Sequence, residues 1–191
     1  MHFDYTNCIE YGTSYGGCLS GVTDGTYGYF SFDASGGTSQ IIKITLSTFT
    51  QAAALSLNGA DDYPNGPVIA GGNLYYGVWD SSSSPALTSA IVKINLGTFT
   101  RTTSVSALGN AIYGGVSDGT YGYFTTNGAT KDTYDSVVRL KYSDNTVTQL
   151  ALNVGEFAVI TAFVDSGKAY IGIGSLPAAY AEYLPNINSF L

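Results

Sequence analysis

Carboxylates are the acid–base candidates present in number, because the 191-residue chain carries 14 Asp+Glu, one histidine and two cysteines. Asp24, Asp118 and Asp165 stand at spacings of 94 and 47 residues, the period of an internal repeat. Three carboxylates around an axis could hold a hard cation such as calcium through oxygen ligands. A pair held roughly 5 to 10 Å apart would suit glycoside hydrolysis. Each of the three, however, precedes Gly or Ser, where an Asp side chain commonly bonds its own backbone, so a turn role is the stronger expectation. Asp61-Asp62 is a second acidic spot, expected to be a solvated loop. Nucleophilic catalysis by Ser or Cys needs a base. The single imidazole, His2, aligns with Lys43, Lys93 and Arg139 of the repeat, so no triad and no catalytic residue is expected.

No metal or cofactor is expected either. His2 with Cys8 and Cys18 falls short of the four ligands of a structural zinc site. No Gly-x-Gly-x-x-Gly or Gly-Lys-Ser/Thr segment follows a strand and opens a helix, so a phosphate cradle is not predicted. Cys8 and Cys18 lie ten positions apart and leave two readings open, one local disulfide or two buried thiols.

The elements that must position these residues follow from composition. The chain is 45% hydrophobic and only 11% charged, with 24 Gly, 16 Tyr and 5 Pro. Gly is costly in helix interiors while Tyr and Thr favour pleated surfaces, so an all-β protein is predicted. A net charge of −7 lacks the clustered cations that nucleic-acid binding requires. No apolar run approaches the ~20 residues that span a bilayer, so no membrane partner is expected. Met1-His-Phe-Asp4 has neither the basic nor the apolar stretch of a signal peptide.

Asp24-Gly-Thr-Tyr-Gly-Tyr-Phe30 recurs unchanged as Asp118-Gly-Thr-Tyr-Gly-Tyr-Phe124, 94 positions later. Half that distance carries Tyr29 to Tyr76, Tyr123 and Tyr170, and Gly25 to Gly72, Gly119 and Ser166. Ile41-Ile-Lys-Ile-Thr-Leu-Ser-Thr-Phe-Thr50 matches Ile91-Val-Lys-Ile-Asn-Leu-Gly-Thr-Phe-Thr100 and, more loosely, Val137-Val-Arg-Leu-Lys-Tyr142. Within one unit the pattern predicts four short strands, at 67–71, 74–79, 90–96 and 100–108. Asn58-Gly59 and Asn65-Gly66 are read as turns between units, and Asn127-Gly128 and Ser81–Pro85 as loops within them. Four antiparallel strands in roughly 40 to 50 residues is the size of a propeller blade. Gly16-Gly17, Ala70-Gly71-Gly72 and Gly114-Gly115 fall in or beside the inner strands, where crowding demands small residues.

This pattern of Tyr-Phe, polar loop and Ile-Ile-Lys-Ile-x-Leu-x-Thr-Phe-Thr resembles the YVTN-type β-propeller repeats of surface-layer and other secreted proteins. The resemblance implies a propeller with a structural or binding role outside the cell. The chain departs from it in lacking the usual Asp at the end of the third strand, where Leu46, Leu96 and Tyr142 stand.

The predicted domain is a single propeller over 1–191, with repeats at about 16–66, 67–110, 111–156 and 157–191 plus 1–15. The fourth blade is split: Phe157 to Ile173 gives two strands before an irregular tail, and His2–Tyr5 aligns with Arg139–Tyr142 as its third. One chain could then close a ring, successive chains could exchange half-blades into a filament, or the chain could be part of a larger ring; the first two are favoured.

Tyr29, Tyr76, Tyr123 and Tyr170 are assigned to inter-blade packing. Tyr63, Tyr134, Tyr180 and Tyr183 lie off the repeat and, with Asp24, Asp118 and Asp165, are the expected ligand or interface residues. The low charge, the split blade and the surplus tyrosines lead to a non-catalytic extracellular structural or adhesive module. Its expected partners are copies of itself or other extracellular proteins and glycans. A monomeric propeller with a carbohydrate or protein ligand, and a carboxylate-dependent glycan-active enzyme, are the alternatives.

Overall fold

The computed structural model describes residues 16–33, 38–59, 61–80, 88–107, 111–126, 136–152, 156–175 and 184–189. All regular structure in them is β, as composition dictates. The first blade is β1 (Cys18–Thr23), β2 (Tyr27–Phe32), β3 (Gln40–Thr45) and β4 (Thr50–Ser56). The second is β5 (Asp62–Ala70), β6 (Asn73–Asp80), β7 (Thr88–Asn95) and β8 (Thr100–Ser106). The third is β9 (Ile112–Ser117), β10 (Tyr121–Thr126), β11 (Ser136–Lys141) and β12 (Val147–Ala151). The fourth is β13 (Glu156–Asp165), β14 (Lys168–Ser175) and β15 (Leu184–Ser189). Each is an antiparallel meander in chain order, three with four strands and the last with three. The protein is a β-propeller.

The third strand of the fourth blade is a point of difference. The C-terminal residues 184–189 pair with β14, Tyr170 opposite Ser189 and Ser175 opposite Leu184, where an irregular tail was predicted. The place assigned to His2–Tyr5 is therefore taken by the other end of the chain, and His2–Tyr5 itself lies outside the described residues. The pattern of tail residues 184–189, Leu-Pro-Asn-Ile-Asn-Ser, carries little of the apolar alternation that marks a strand. Pairing to β14 holds it in place instead.

Strands buried on both faces explain why Ile41 and Ile42, neighbours that point opposite ways, are both inaccessible to solvent. The forward face of the first blade, Tyr29 and Ile41, packs on the rear face of the second, Leu74, Tyr76, Val78, Val92 and Ile94. The forward face of the second, Tyr75 and Ile91, packs on Phe124, Val138 and Leu140 of the third. The core thus consists of seams between blades.

The inner strand of the second blade starts at Asp62, five residues before the predicted Pro67. Asn65-Gly66, expected to be a turn, is absorbed as an irregularity in the β5–β6 ladder. Gly66 takes φ 59°, and a Cβ there would lie 2.7 Å from the backbone carbon of Gly114. A Cβ on Gly115 would run into the Gly66 carbonyl oxygen. Crowding of inner strands therefore explains Gly115. It does not explain Gly71 and Gly72, which have open space around them and serve instead as the two positive-φ positions of a tight turn, nor Gly17, which also has open space.

Candidate functional site

The inner strands pack in succession, β1 on β5, β5 on β9 and β9 on β13. All four line one central cavity of about 340 Å³, widely open to solvent, through residues that include Val22, Thr23, Val68, Val116, Ser117 and Val164. The hairpin turns that follow the inner strands lie at one end of it.

Two kinds of turn occupy that end. In the first and third blades Asp24 and Asp118 each open a three-residue loop. Asp24 Oδ1 accepts the amides of Thr26 and Tyr27 at 2.8 and 2.7 Å, and Oδ2 accepts the Tyr29 hydroxyl at 2.8 Å. Asp118 repeats this with Thr120, Tyr121 and Tyr123 at 2.8, 2.7 and 2.9 Å. Burial raises the Asp24 pKa, but the donors from Tyr27, Thr26 and Tyr29, with Lys43 nearby, outweigh it and hold the carboxyl below its ordinary range. In the second and fourth blades the loop is two residues, Gly71-Gly72 and Ser166-Gly167, all at positive φ. Asp165 is the last residue before that turn and, among the described residues, accepts a 3.3 Å contact from the Ser166 hydroxyl. Asp24 and Asp118 thus hold their turns by bonding turn amides, which Asp165 is not seen to do, and among the described residues no group of three His, Cys, Asp or Glu converges on a metal-sized site.

Turn length also resets the side chains. Because the loop of the second blade is one residue shorter, Tyr75 rather than Tyr76 lies opposite the third-strand cation. Lys43 pairs with Tyr29, Lys93 with Tyr75 and Arg139 with Tyr123. Tyr76, assigned by the 47-residue step, points the other way, since one residue of slip reverses every side chain of a strand. Its hydroxyl donates to the Tyr29 backbone carbonyl across the seam at 3.2 Å. The three cations lie over tyrosine rings: Lys43 Nζ is 3.9 Å from the Tyr27 centroid, Lys93 Nζ 5.7 Å from Tyr75, and Arg139 Cζ 4.8 Å from Tyr121.

A second pocket, of about 330 Å³, opens between the second and third blades, with Gly71, Asn73, Tyr75 and Lys93 on one wall and Thr120 and Tyr142 on the other. The Tyr75 and Tyr142 rings stand 4.7 Å apart. The Tyr142 hydroxyl donates to Ser117 Oγ at 2.9 Å, and Ser117 also lines the central cavity, so the two spaces share a wall. A third, also about 330 Å³, lies between the third and fourth blades over Tyr123, Val137, Arg139, Leu150 and Ile171.

The remaining candidates scatter. Tyr63, at φ 48°, is exposed and packs its ring 5.0 Å from that of Trp79, away from the hairpin turns. Tyr134, Tyr180, Tyr183 and Cys8 lie outside the described residues, so the Cys8–Cys18 pairing does too; Cys18 is exposed at the start of β1. Asp61 was expected to be solvated and is instead buried, with Arg101 Nε donating to Oδ2 at 2.7 Å and Nη2 to Oδ1 at 3.2 Å. Nothing local in Asp61-Asp62 signals this, because Arg101 lies 40 residues away.

No protein-family model and no curated protein matches the sequence. Among solved structures the chain is similar to the β-propeller domain of the Trilobed protease from Pyrococcus furiosus, with a TM-score of 0.63 and 9% identity over 95% of this chain and 56% of that one. It is similar also to acylaminoacyl peptidase from Pyrococcus horikoshii, with a TM-score of 0.52 and 11% identity over 86% of this chain and 32% of that one. The chain therefore spans about half, and about a third, of the chains it matches. At these identities the likeness establishes the propeller fold. It also corrects the functional expectation: the similar propellers belong to peptidases, not to an adhesive or structural module.

Proposed function

We propose that the chain is the propeller domain of a peptide-processing enzyme, and that its central cavity receives an extended polypeptide segment while the chemistry is done elsewhere. The observation that carries this reading is the cavity lined by all four inner strands. Its volume is at the lower end of small-ligand sites, suited to one chain segment. The peptidase origin of the similar propellers supports the choice of ligand. In a non-catalytic role the domain would bind and sort substrate. Within propellers, the repeat keeps its resemblance to the YVTN type.

The test is nuclear magnetic resonance titration of the full chain with an N-acetylated, C-amidated heptapeptide of mixed sequence, together with an assay for peptide hydrolysis. Amide shifts at Val22, Val116 and Val164 without hydrolysis are expected. Unmoved cavity amides at millimolar peptide, or turnover by this chain alone, would overturn the reading.

A further inference from the structure

The blades serve as controls for one another. In the first and third, a tyrosine hydroxyl on the second strand donates to a turn carboxylate, and the third-strand cation pairs with that tyrosine. The second blade keeps the tyrosine, Tyr75, and the cation, Lys93, but its shortened turn puts Gly71 where the carboxylate would be. The carboxylate is missing and its partners remain.

Lys93 borders an open pocket, and the buried Tyr75 lies at its base. Gly71, Asn73, Tyr75 and Lys93 line the pocket at the seam with the third blade. Asp118 and Asp144, next in sequence to the lining residues Gly119 and Ser143, are engaged: Asp118 holds Thr120, Tyr121 and Tyr123, and Asp144 accepts the Thr146 amide at 2.9 Å and the Lys141 ammonium at 2.8 Å. Among the described residues Lys93 has no ion-pair partner. The seam between the first two blades is sealed differently, with Phe99 of the β7–β8 turn, φ 51°, lying against Tyr29 and Lys43. At the same positive-φ place in the third blade stands Asn145, whose Oδ1 is buried without a partner. An amide has replaced the sealing ring.

We propose that the pocket between the second and third blades binds the C-terminal carboxylate of a polypeptide, which takes the place of the turn carboxylate that the second blade lacks. Lys93 supplies the charge, and the Tyr75 hydroxyl donates as Tyr29 and Tyr123 do in their blades. The Tyr75 and Tyr142 rings, in contact with each other, form one apolar surface for the last side chain, and the shared Ser117 wall sets the site beside the central cavity. A peptide is chosen over another carboxylate because the proposal rests on the preceding reading of the cavity as a polypeptide site.

The experiment compares the amidated heptapeptide with the same peptide bearing a free C-terminal carboxylate, and with D-glucuronate, by amide shifts and calorimetry on the full chain. The free acid should shift Gly71, Asn73 and Thr120 and bind about tenfold tighter than the amide, the scale of one charge-assisted hydrogen bond. Lys93→Gln should remove that difference. Gly71→Asp should weaken free-acid binding by returning a carboxylate to the site, since Asp is tolerated at the first position of such a turn. Equal binding of acid and amide, glucuronate as tight as the peptide acid, or shifts absent from this seam would overturn the proposal. If the amidated peptide moves Val22 and Val116 while the acid leaves Gly71 and Thr120 unmoved, the seam site fails and the cavity reading stands. If neither peptide moves any of these amides, both fail.

Discussion

The Tyr76 hydroxyl donates to the backbone carbonyl of Tyr29 at 3.2 Å, joining two residues that stand 47 apart in sequence but on opposite faces of their blades. Tyr76 is fully buried, and burial first, then a nearby thiol, raises its phenol well above the ordinary range. Tyr76→Phe should lower stability by about 1 kcal/mol, the usual net value of one hydrogen bond. For a chain of this length that is a fall in Tm of roughly 2 to 4 °C, read by calorimetry. A fall no larger than that of an exposed-site substitution such as Tyr113→Phe would show that the seam does not depend on this bond.

Acid should weaken the fold through Asp24. Its carboxyl titrates below the ordinary value when folded, so its contribution is present above about pH 4, the unfolded value, and is lost as pH falls through the folded one. Urea midpoints measured from pH 7 downward should therefore decline below about pH 4. Asp24→Asn should flatten part of that decline. An unchanged slope would assign the acid sensitivity to other carboxylates.

Alkali acts in the opposite sense through the phenols. Burial, then the hydrogen bond to Asp118, pushes Tyr123 up to about 12, and Tyr29, Tyr75 and Tyr142 are raised as well. A raised folded value contributes stability that is complete below the unfolded value near pH 10 and is lost as pH rises toward the folded one. Phenolate absorbance should show these tyrosines titrating late and together with unfolding. Tyr123→Phe should reduce the alkaline loss, and a chain whose phenols all titrate near pH 10 while still folded would contradict the buried arrangement.

Arg101, half-buried, and Asp61, buried, form an ion pair that ties the link between the first two blades to an outer strand. Arg101→Ala leaves a carboxylate buried without its partner and should cost about 3 kcal/mol. Adding Asp61→Asn should recover most of the loss, because the stranded charge is then gone. A double variant as unstable as the single one would mean that packing of the arginine stem dominates.

Glycine substitutions should separate crowding from turn conformation. Gly115→Ala drives a methyl into the Gly66 carbonyl and should prevent formation of the ring, visible as loss of the cooperative unfolding transition. Gly71→Ala meets no atom but sits at φ 53°, and should cost about 1 kcal/mol. Gly17→Ala, with open space and no positive φ, should change stability by less than about 0.5 kcal/mol. A folded, fully stable Gly115→Ala variant would refute the close approach of β5 and β9.

By itself the sequence determined the all-β class, the blade unit and the number of repeats, because strand period, Gly and Tyr content and an exact heptapeptide repeat are local properties. It also marked Lys43, Lys93 and Arg139 as one repeated position, which the ladders place opposite Tyr29, Tyr75 and Tyr123. Tertiary structure decided what depends on geometry between distant residues. Which tyrosine faces Lys93 was hidden because a mean period of 47 cannot register a turn shortened in one blade and compensated in the next. The burial of Asp61 depends on Arg101, 40 residues on. Residues 184–189 become a strand only by pairing with β14, since their own pattern is weak. The central cavity and the pocket beside Lys93 exist only once four inner strands and two blade faces meet, and no spacing within one repeat encodes that meeting.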